Sequence, residues 1–228
     1  MLTKKKKLSR KEIKEDKLVE GYYKAYSFFE ENKSRIGLYA VILVALVAVI
    51  YFYMGSRSET NNKAGLELSR IMSIYDSGSY LEAIEGRQGT NIIGLKRIVE
   101  EYGSTENGEN AKIFLANSYF MLGKNEDALK LYQDYSGSNE FYKATALAGE
   151  AGYFASKKEY EKAADLYRKA SRISKINALN PEYILKASIN YINAGNKETA
   201  KELLETLKRD FTTSTSAREA DRYLALTD

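Results

Sequence analysis

GKNEDALKLY at 123–132, KKEYEKAADLY at 157–167 and GNKETAKELL at 195–204 are three versions of one phrase, and GSYLEAI at 78–84 is a shorter fourth. Aligned, they place a small residue at Ala83, Ala128, Ala163 and Ala200. Nine positions earlier stands a large residue each time: Ile74, Tyr119, Phe154 and Tyr191. Four positions after the alanine comes Tyr132, Tyr167 or Leu204 in the last three copies. Five positions before it a glycine stands at Gly78, Gly123 and Gly195, with Lys158 in the third copy. Ala128 to Ala163 is 35 positions and Ala163 to Ala200 is 37. A period of this length with helical spacing inside it predicts stacked helical pairs. The glycine takes the left-handed conformation that ends the first helix of a pair. The alanine lets the second helix approach closely, and the aromatic side chains fill the spaces between neighbouring pairs.

These positions resemble the tetratricopeptide repeat (TPR) family. The resemblance covers about 64–209 and implies an α-α superhelical solenoid of about four repeats, with the consensus Trp replaced by Lys112, Leu147 and Ile184. Pro181 opens the fourth unit, where its missing N–H does no harm. The family register implies a concave protein-binding groove made by Asn110, Ile113, Asn117 and Phe120, then Ala148, Gly152 and Ala155, then Leu185, Ile189 and Ile192. Leu185 and Ile189 read equally well as core. The surface is mostly apolar, suited to an extended polypeptide. A clamp for acidic tails would need several Lys or Arg there, and Ile113 sits where one is expected.

Two features depart from the period. Ala83 to Ala128 is 45 positions, and the excess holds the breaker-rich EGRQGTN (85–91) before IIGLKRIVEEYG (92–103). This predicts a broken or looped-out second helix in the first repeat. Ser216 is the expected cap of a last helix, about 217–226, within a capping segment 210–228 whose Ala217, Ala220, Tyr223 and Leu224 cover the open end.

The net charge of +4 is unevenly spread. Residues 1–35 hold 11 Lys/Arg and 6 Asp/Glu, residues 55–228 hold 24 and 25, and residues 36–54 hold none. The uncharged run, IGLYAVILVALVAVIYFYM, spans roughly 28 Å as a helix, close to the ~30 Å hydrocarbon core of a bilayer. Tyr39 near one end and Tyr51 and Tyr53 near the other fit the membrane interfaces. A signal peptide has a shorter apolar run and an A-x-A site, which this run lacks. The basic tail, led by KKKK at 4–7 with Arg10, Lys11, Lys14 and Lys17, puts the N-terminus in the cytoplasm and the C-terminal part in the periplasm. Leu18, Val19, Tyr22, Tyr23, Tyr26 and Phe29 give 12–31 an amphipathic helical spacing. It reads as a helix on the inner leaflet or, less simply, as a docking helix for another protein. A polar stretch at 55–63 reads as a linker.

The chain has no His and no Cys, which excludes histidine bases, thiolate nucleophiles and the usual zinc and iron–sulfur sites. It also lacks GxGxxG and GxxxxGK[ST]. A carboxylate hydrolase would have to use Glu100, Glu101 and Glu109, which read more simply as a solvated face and a first-turn acid. The near-neutral C-terminal part has no basic stripe for nucleic acid. No cofactor, metal or small-molecule substrate is expected.

The fold class is therefore all-α, a single N-terminal transmembrane helix followed by a TPR solenoid. This plan resembles the YfgM-like family of single-span proteins, ancillary to the Sec translocon, and membrane-anchored TPR proteins of Bacteroidota-type bacteria. The resemblance implies a non-enzymatic bacterial scaffold whose partners are membrane lipid, translocon subunits and a periplasmic chaperone. A structural peripheral subunit of another membrane complex is the second reading. Outer-membrane assembly proteins of the BamD type carry a lipidated Cys, absent here.

Overall fold

The computed structural model describes residues 10–227; the basic run at 4–7 lies outside the described residues, as do the side chains of 10–18 and of Tyr53. The described residues form α1 (Arg10–Asp76), α2 (Tyr80–Glu85), α3 (Leu95–Tyr102), α4 (Glu106–Met121), α5 (Asn125–Gln133), α6 (Glu140–Ser156), α7 (Tyr160–Ile173), α8 (Asn180–Asn193), α9 (Lys197–Asp210) and α10 (Thr215–Leu224). Among them there is no strand, only a lone antiparallel bridge between Gly86 and Ile93. The chain divides into two compact units, Met1–Ser56 and Arg57–Asp228.

The described part of the first unit is a stretch of α1. Residues 12–31 are helical, as their periodicity predicts, but they continue into the apolar run instead of forming a separate helix. That run contains a window with a mean hydropathy of 2.5, long and apolar enough to cross a membrane. Its side chains face outward: Leu38, Val41, Leu43, Val44 and Val47 are all between 58 and 68% exposed.

The second unit is built from helical pairs. The end of α1 shares an apolar cluster with α2 and α3; then α4 pairs with α5, α6 with α7, and α8 with α9, while α10 packs on α8 and α9. Its apolar interior is a series of small clusters, each shared between chain neighbours. Leu68, Ile71 and Ile74 of α1 meet Ala83, Ile84, Leu95, Ile98 and Leu115. Ile113, Ala128, Tyr132 and Ala146 close the α4–α5–α6 layer. Phe154, Ala163, Tyr167 and Tyr183 close the next. Ala164, Tyr191 and Ala200 join α7 to α8 and α9, and Leu185, Leu204, Leu207 and Ala220 seal the end. The four repeat alanines are all buried to within 1%.

One turn recurs in all four pairs. Gly78, Gly123 and Gly195 have φ of 78°, 75° and 84°, and Lys158 takes the same conformation at 63°. In each case the residue after it donates its N–H back to the large residue of the repeat: Ser79 to Ile74 O (3.3 Å), Lys124 to Tyr119 O (2.9 Å), Glu159 to Phe154 O (2.9 Å) and Asn196 to Tyr191 O (2.8 Å). The left-handed residue itself bonds one carbonyl further on, as Gly123 does to Phe120 O at 3.0 Å. This is the Schellman end of a helix. The donor residue is also the N-cap of the second helix, and its carbonyl accepts from the repeat alanine, as Lys124 O does from Ala128 N at 3.1 Å. The glycine-to-alanine spacing of five is thus fixed by a two-residue turn.

The first repeat is broken as its composition predicts. α2 stops at Glu85, the chain turns through Gly86 (φ 88°) and Gly89 (φ 75°), and α3 restarts after Gly94. A side chain at Gly94 would stand 2.1 Å from Ile84 O, so glycine is needed where the loop recrosses the helix end. Two expectations are corrected. Residues 55–63, which read as a linker, are helical, and part of the stretch is tied to the solenoid. Asn61 Oδ1 accepts from Asn107 N at 2.8 Å, Asn61 O accepts from Asn107 Nδ2 at 2.9 Å, and Arg57 donates to Ser104 O at 3.3 Å. The cap of the last helix is Ser214, not Ser216: its Oγ accepts from Ala217 N at 3.0 Å, which starts α10 two residues earlier.

Lys112, one of the replacements for the consensus Trp, is buried and makes an ionic staple instead. Its Nζ donates to Glu109 Oε1 (2.9 Å), Asp134 Oδ2 (2.8 Å) and Asp134 O (3.0 Å). Glu109 Oε2 in turn accepts from Ser136 N at 2.8 Å. Glu106 holds the same loop: its carboxylate accepts from Ser138 N (3.1 Å), Ser138 Oγ (2.9 Å) and Asn139 N (3.0 Å). Burial pushes the Glu106 carboxyl up, but the bonds from Ser138 and Asn139 more than offset it and hold it below the usual range.

Lys158→Gly should raise stability by about 1 kcal/mol, because a β-carbon in this conformation is strained. Gly123→Ala should lower it by a similar amount; urea unfolding of residues 57–228 within the full chain reads both. Because the folded Glu106 is more acidic than the unfolded one, its contribution is complete above about pH 5 and fades as the pH falls through the unfolded value near 4.3 toward its lowered folded value. Protection of the Ser138 and Asn139 amides, taken against their intrinsic exchange rates at each pH, should therefore fall on acidification, and Glu106→Gln should flatten that response.

Candidate functional site

The first helices of three successive pairs, α4, α6 and α8, line a cleft of about 300 Å3. Its walls are Asn117 and Phe120 of α4, Thr145, Ala148, Gly149 and Gly152 of α6, and Leu179, Glu182, Tyr183 and Lys186 at the start of α8. Its floor comes from the second helices: Tyr132 of α5 and Tyr167 of α7 reach it past α6. The α6 sequence ATALAGEAGYFAS (144–156) makes this possible, since small residues recur along the side the tyrosines approach. A β-carbon on Gly149 would stand 2.3 Å from the Tyr132 ring, whereas one on Gly152 would meet only the Tyr167 hydroxyl, at 3.5 Å.

The polar groups of the cleft are paired. Tyr132 donates to Asn117 Oδ1 at 2.6 Å, and Asn117 Nδ2 donates to Tyr75 Oη at 3.3 Å. Glu182 and Lys186 form an ion pair at 2.7 Å. Burial raises the Tyr132, Tyr167 and Tyr183 hydroxyls above their ordinary range; Lys186 partly opposes this at Tyr167, and Thr145 at Tyr183. All three phenols remain neutral donors near neutral pH. The cleft is therefore aromatic, uncharged in sum and rich in hydroxyls.

The expected groove residues divide. Asn117, Phe120, Ala148 and Gly152 line the cleft, with Phe120 39% exposed at its rim. Asn110 is buried, Ile113 is 1% exposed within the α4–α5–α6 layer, and Ala155 packs into the α6–α7–α8 cluster. Leu185 is 6% exposed, and Ile189 and Ile192 pack with it against Leu204, Ala217 and Ala220. These are corrections: α10 packs on α8 beside Leu185, Ile189 and Ile192, whereas Ile113 and Ala155 face neighbouring helices inside their own layers and Asn110 is buried on α4. Tyr132, Tyr167, Tyr183, Leu179, Glu182 and Lys186 were not expected to line the groove. The run of small residues on α6 was the available signal.

The remaining candidates are apart from the cleft. Glu101 pairs with Arg97 at 2.6 Å, Glu100 is exposed, and Glu109 is occupied by Lys112 and Ser136. Among the described residues no group of three or more acidic side chains could hold a metal ion. Tyr39 and Tyr51 are 66 and 75% exposed toward the two ends of the apolar run.

No protein-family model matches the chain, and no curated protein matches it. Among solved structures, it is similar to the crystal structure of a kinesin light chain-like protein of Podosopora anserina with nearly identical TPR-like repeats. The TM-score is 0.54 at 16% identity, covering 75% of this chain and 86% of that one. A variant structure of the same protein gives a TM-score of 0.55 at 16% identity, covering 75% and 85%. The fold is TPR-like. At this identity the likeness concerns architecture alone.

Gly149→Ala should cost about 1–3 kcal/mol, because the added methyl displaces the Tyr132 ring from a closely packed site. Differential scanning calorimetry of the variant against Gly152→Ala, which should be neutral, checks this.

Proposed function

We propose that the chain is a membrane-tethered interaction scaffold, anchored through residues 36–54 and receiving an extended, uncharged stretch of a partner polypeptide in the cleft over Tyr132 and Tyr167. The cleft carries this reading. Among its lining residues the only charges, Glu182 and Lys186, neutralise each other at 2.7 Å, so an acidic or basic segment finds no counter-charge there. An apolar side chain finds an aromatic floor there.

The basic tail supports an N-terminus in the cytoplasm and repeats in the periplasm. With the YfgM-like plan of the sequence, this favours an accessory of the protein-translocation machinery whose partners are translocon subunits, a periplasmic chaperone or the emerging chain. Tethering raises the effective concentration of the cleft at the membrane surface. The alternative role, a peripheral subunit of another complex, draws on one observation. Ile176, in the loop between α7 and α8, is 82% exposed and is not one of the cleft's lining residues, although Ser174, Asn177 and Asn180 around it are buried. Such a residue suits a fixed packing contact.

Photo-crosslinking in cells separates the two. A reactive residue at Phe120 or Ala148 should capture translocation components or chains in transit, and Gly152→Arg, which fills the cleft at a stability change within about 0.5 kcal/mol, should abolish the capture. Silence at Phe120 and Ala148 with capture from Ile176 would overturn the cleft reading in favour of the packing role.

A further inference from the structure

The described helix of the first unit is exposed on nearly every side, and one of its faces carries an apolar seam. Val19, Tyr22, Tyr26 and Phe29 follow one another at intervals of three, four and three, and they are 52, 66, 54 and 51% exposed. The Tyr22 and Tyr26 rings lie 6.3 Å apart in a stacked arrangement. The same alternation of three and four continues through Lys33, Ile36, Ala40, Leu43, Val47, Ile50 and Met54. This is a heptad seam of the kind that draws helices into a coiled coil. Its back, Glu20, Lys24, Ser27 and Glu31, is polar, with Lys24 and Glu20 paired at 2.7 Å; Phe28 alone breaks the pattern there.

Lipid is a poor cover for this face. To lie along a membrane surface, residues 19–29 would have to bend away from the apolar run at 30–35. That stretch, EENKSR, has neither Gly nor Pro, and α1 passes through it unbroken. The charges of Glu20, Lys24, Glu30, Glu31, Lys33 and Arg35 also keep it out of hydrocarbon.

We infer that the occupant is a second copy of this chain, the two helices forming a parallel coiled coil along Val19, Tyr22, Tyr26 and Phe29. Copies that cross a membrane once, in the same sense, meet in parallel and in register, so each seam residue faces its own counterpart. Covering each half-exposed aromatic removes on the order of 100 Å2 per chain. With the residues that continue the stripe to Met54, two chains reach about 1,200 Å2, the lower bound of a stable specific interface. Lys33 occupies one inner position, where a single polar residue fixes register, and Glu30 on its own helix neutralises it at 3.1 Å. Dimerisation would present two clefts together, so a partner with two matching segments would be held far more tightly than by one.

The absence of native cysteine makes the test clean. Single cysteines are placed at each position from 19 to 31 of the full-length protein, purified alone, reconstituted into phospholipid vesicles and oxidised. Disulfides form only where Cα atoms come within about 4.4–6.8 Å. Crosslinked dimer should peak at Val19→Cys, Tyr22→Cys, Tyr26→Cys and Phe29→Cys, several-fold above Glu20→Cys, Lys24→Cys, Ser27→Cys and Glu31→Cys. A flat profile, no dimer, or peaks on the polar face would overturn the inference. So would crosslinks formed only with other proteins in native membranes. Gly152→Arg should leave the profile unchanged, so the seam and the cleft stand or fall separately.

Discussion

Every pair in the solenoid depends on one backbone constraint, the left-handed residue that ends its first helix. That residue lets two amide hydrogens turn back onto the last carbonyls, and the next residue begins the following helix without a gap. A turn this short fixes where the second helix starts. It places Ala83, Ala128, Ala163 and Ala200 at the point of closest approach, where a larger residue would force the pair apart. That Lys158 adopts the conformation at φ 63° shows the architecture overriding the preference of the residue.

The cleft follows from the same closeness. Because α6 is small along one side, rings from α5 and α7 pass it and become the floor of a surface that belongs nominally to α4, α6 and α8. Gly149 and Tyr132 are a matched pair: the missing side chain of one is the space of the other. Function and folding are therefore not separable at Tyr132 and Tyr167, which serve as knobs between repeats and as contact surface.

How much of this the sequence reveals depends on the range of the interaction. The turns, the buried alanines and the broken first repeat are set within a few residues, so spacing and composition expose them. Ile113 and Ile192 carry no local mark that separates groove from core, and Leu185 and Ile189 read equally well as either, because the neighbours that decide lie in other helices. Residues 55–63 looked like a linker for a similar reason, since the partners of Arg57 and Asn61 lie more than forty positions away. Lys112 stands out in the sequence as a departure from a consensus; Glu109 is one turn away on its own helix, but Asp134, which follows α5, is 22 positions away.

The apolar interior of the second unit is a row of small clusters, each bridging adjacent helices, rather than a single core. Cohesion in such an array is a sum over neighbouring layers. Under tension along its length it would yield layer by layer, each loss costing only its own interface, and regain those layers when the load drops. The second unit would in this respect behave as a set of coupled layers rather than as one all-or-none block.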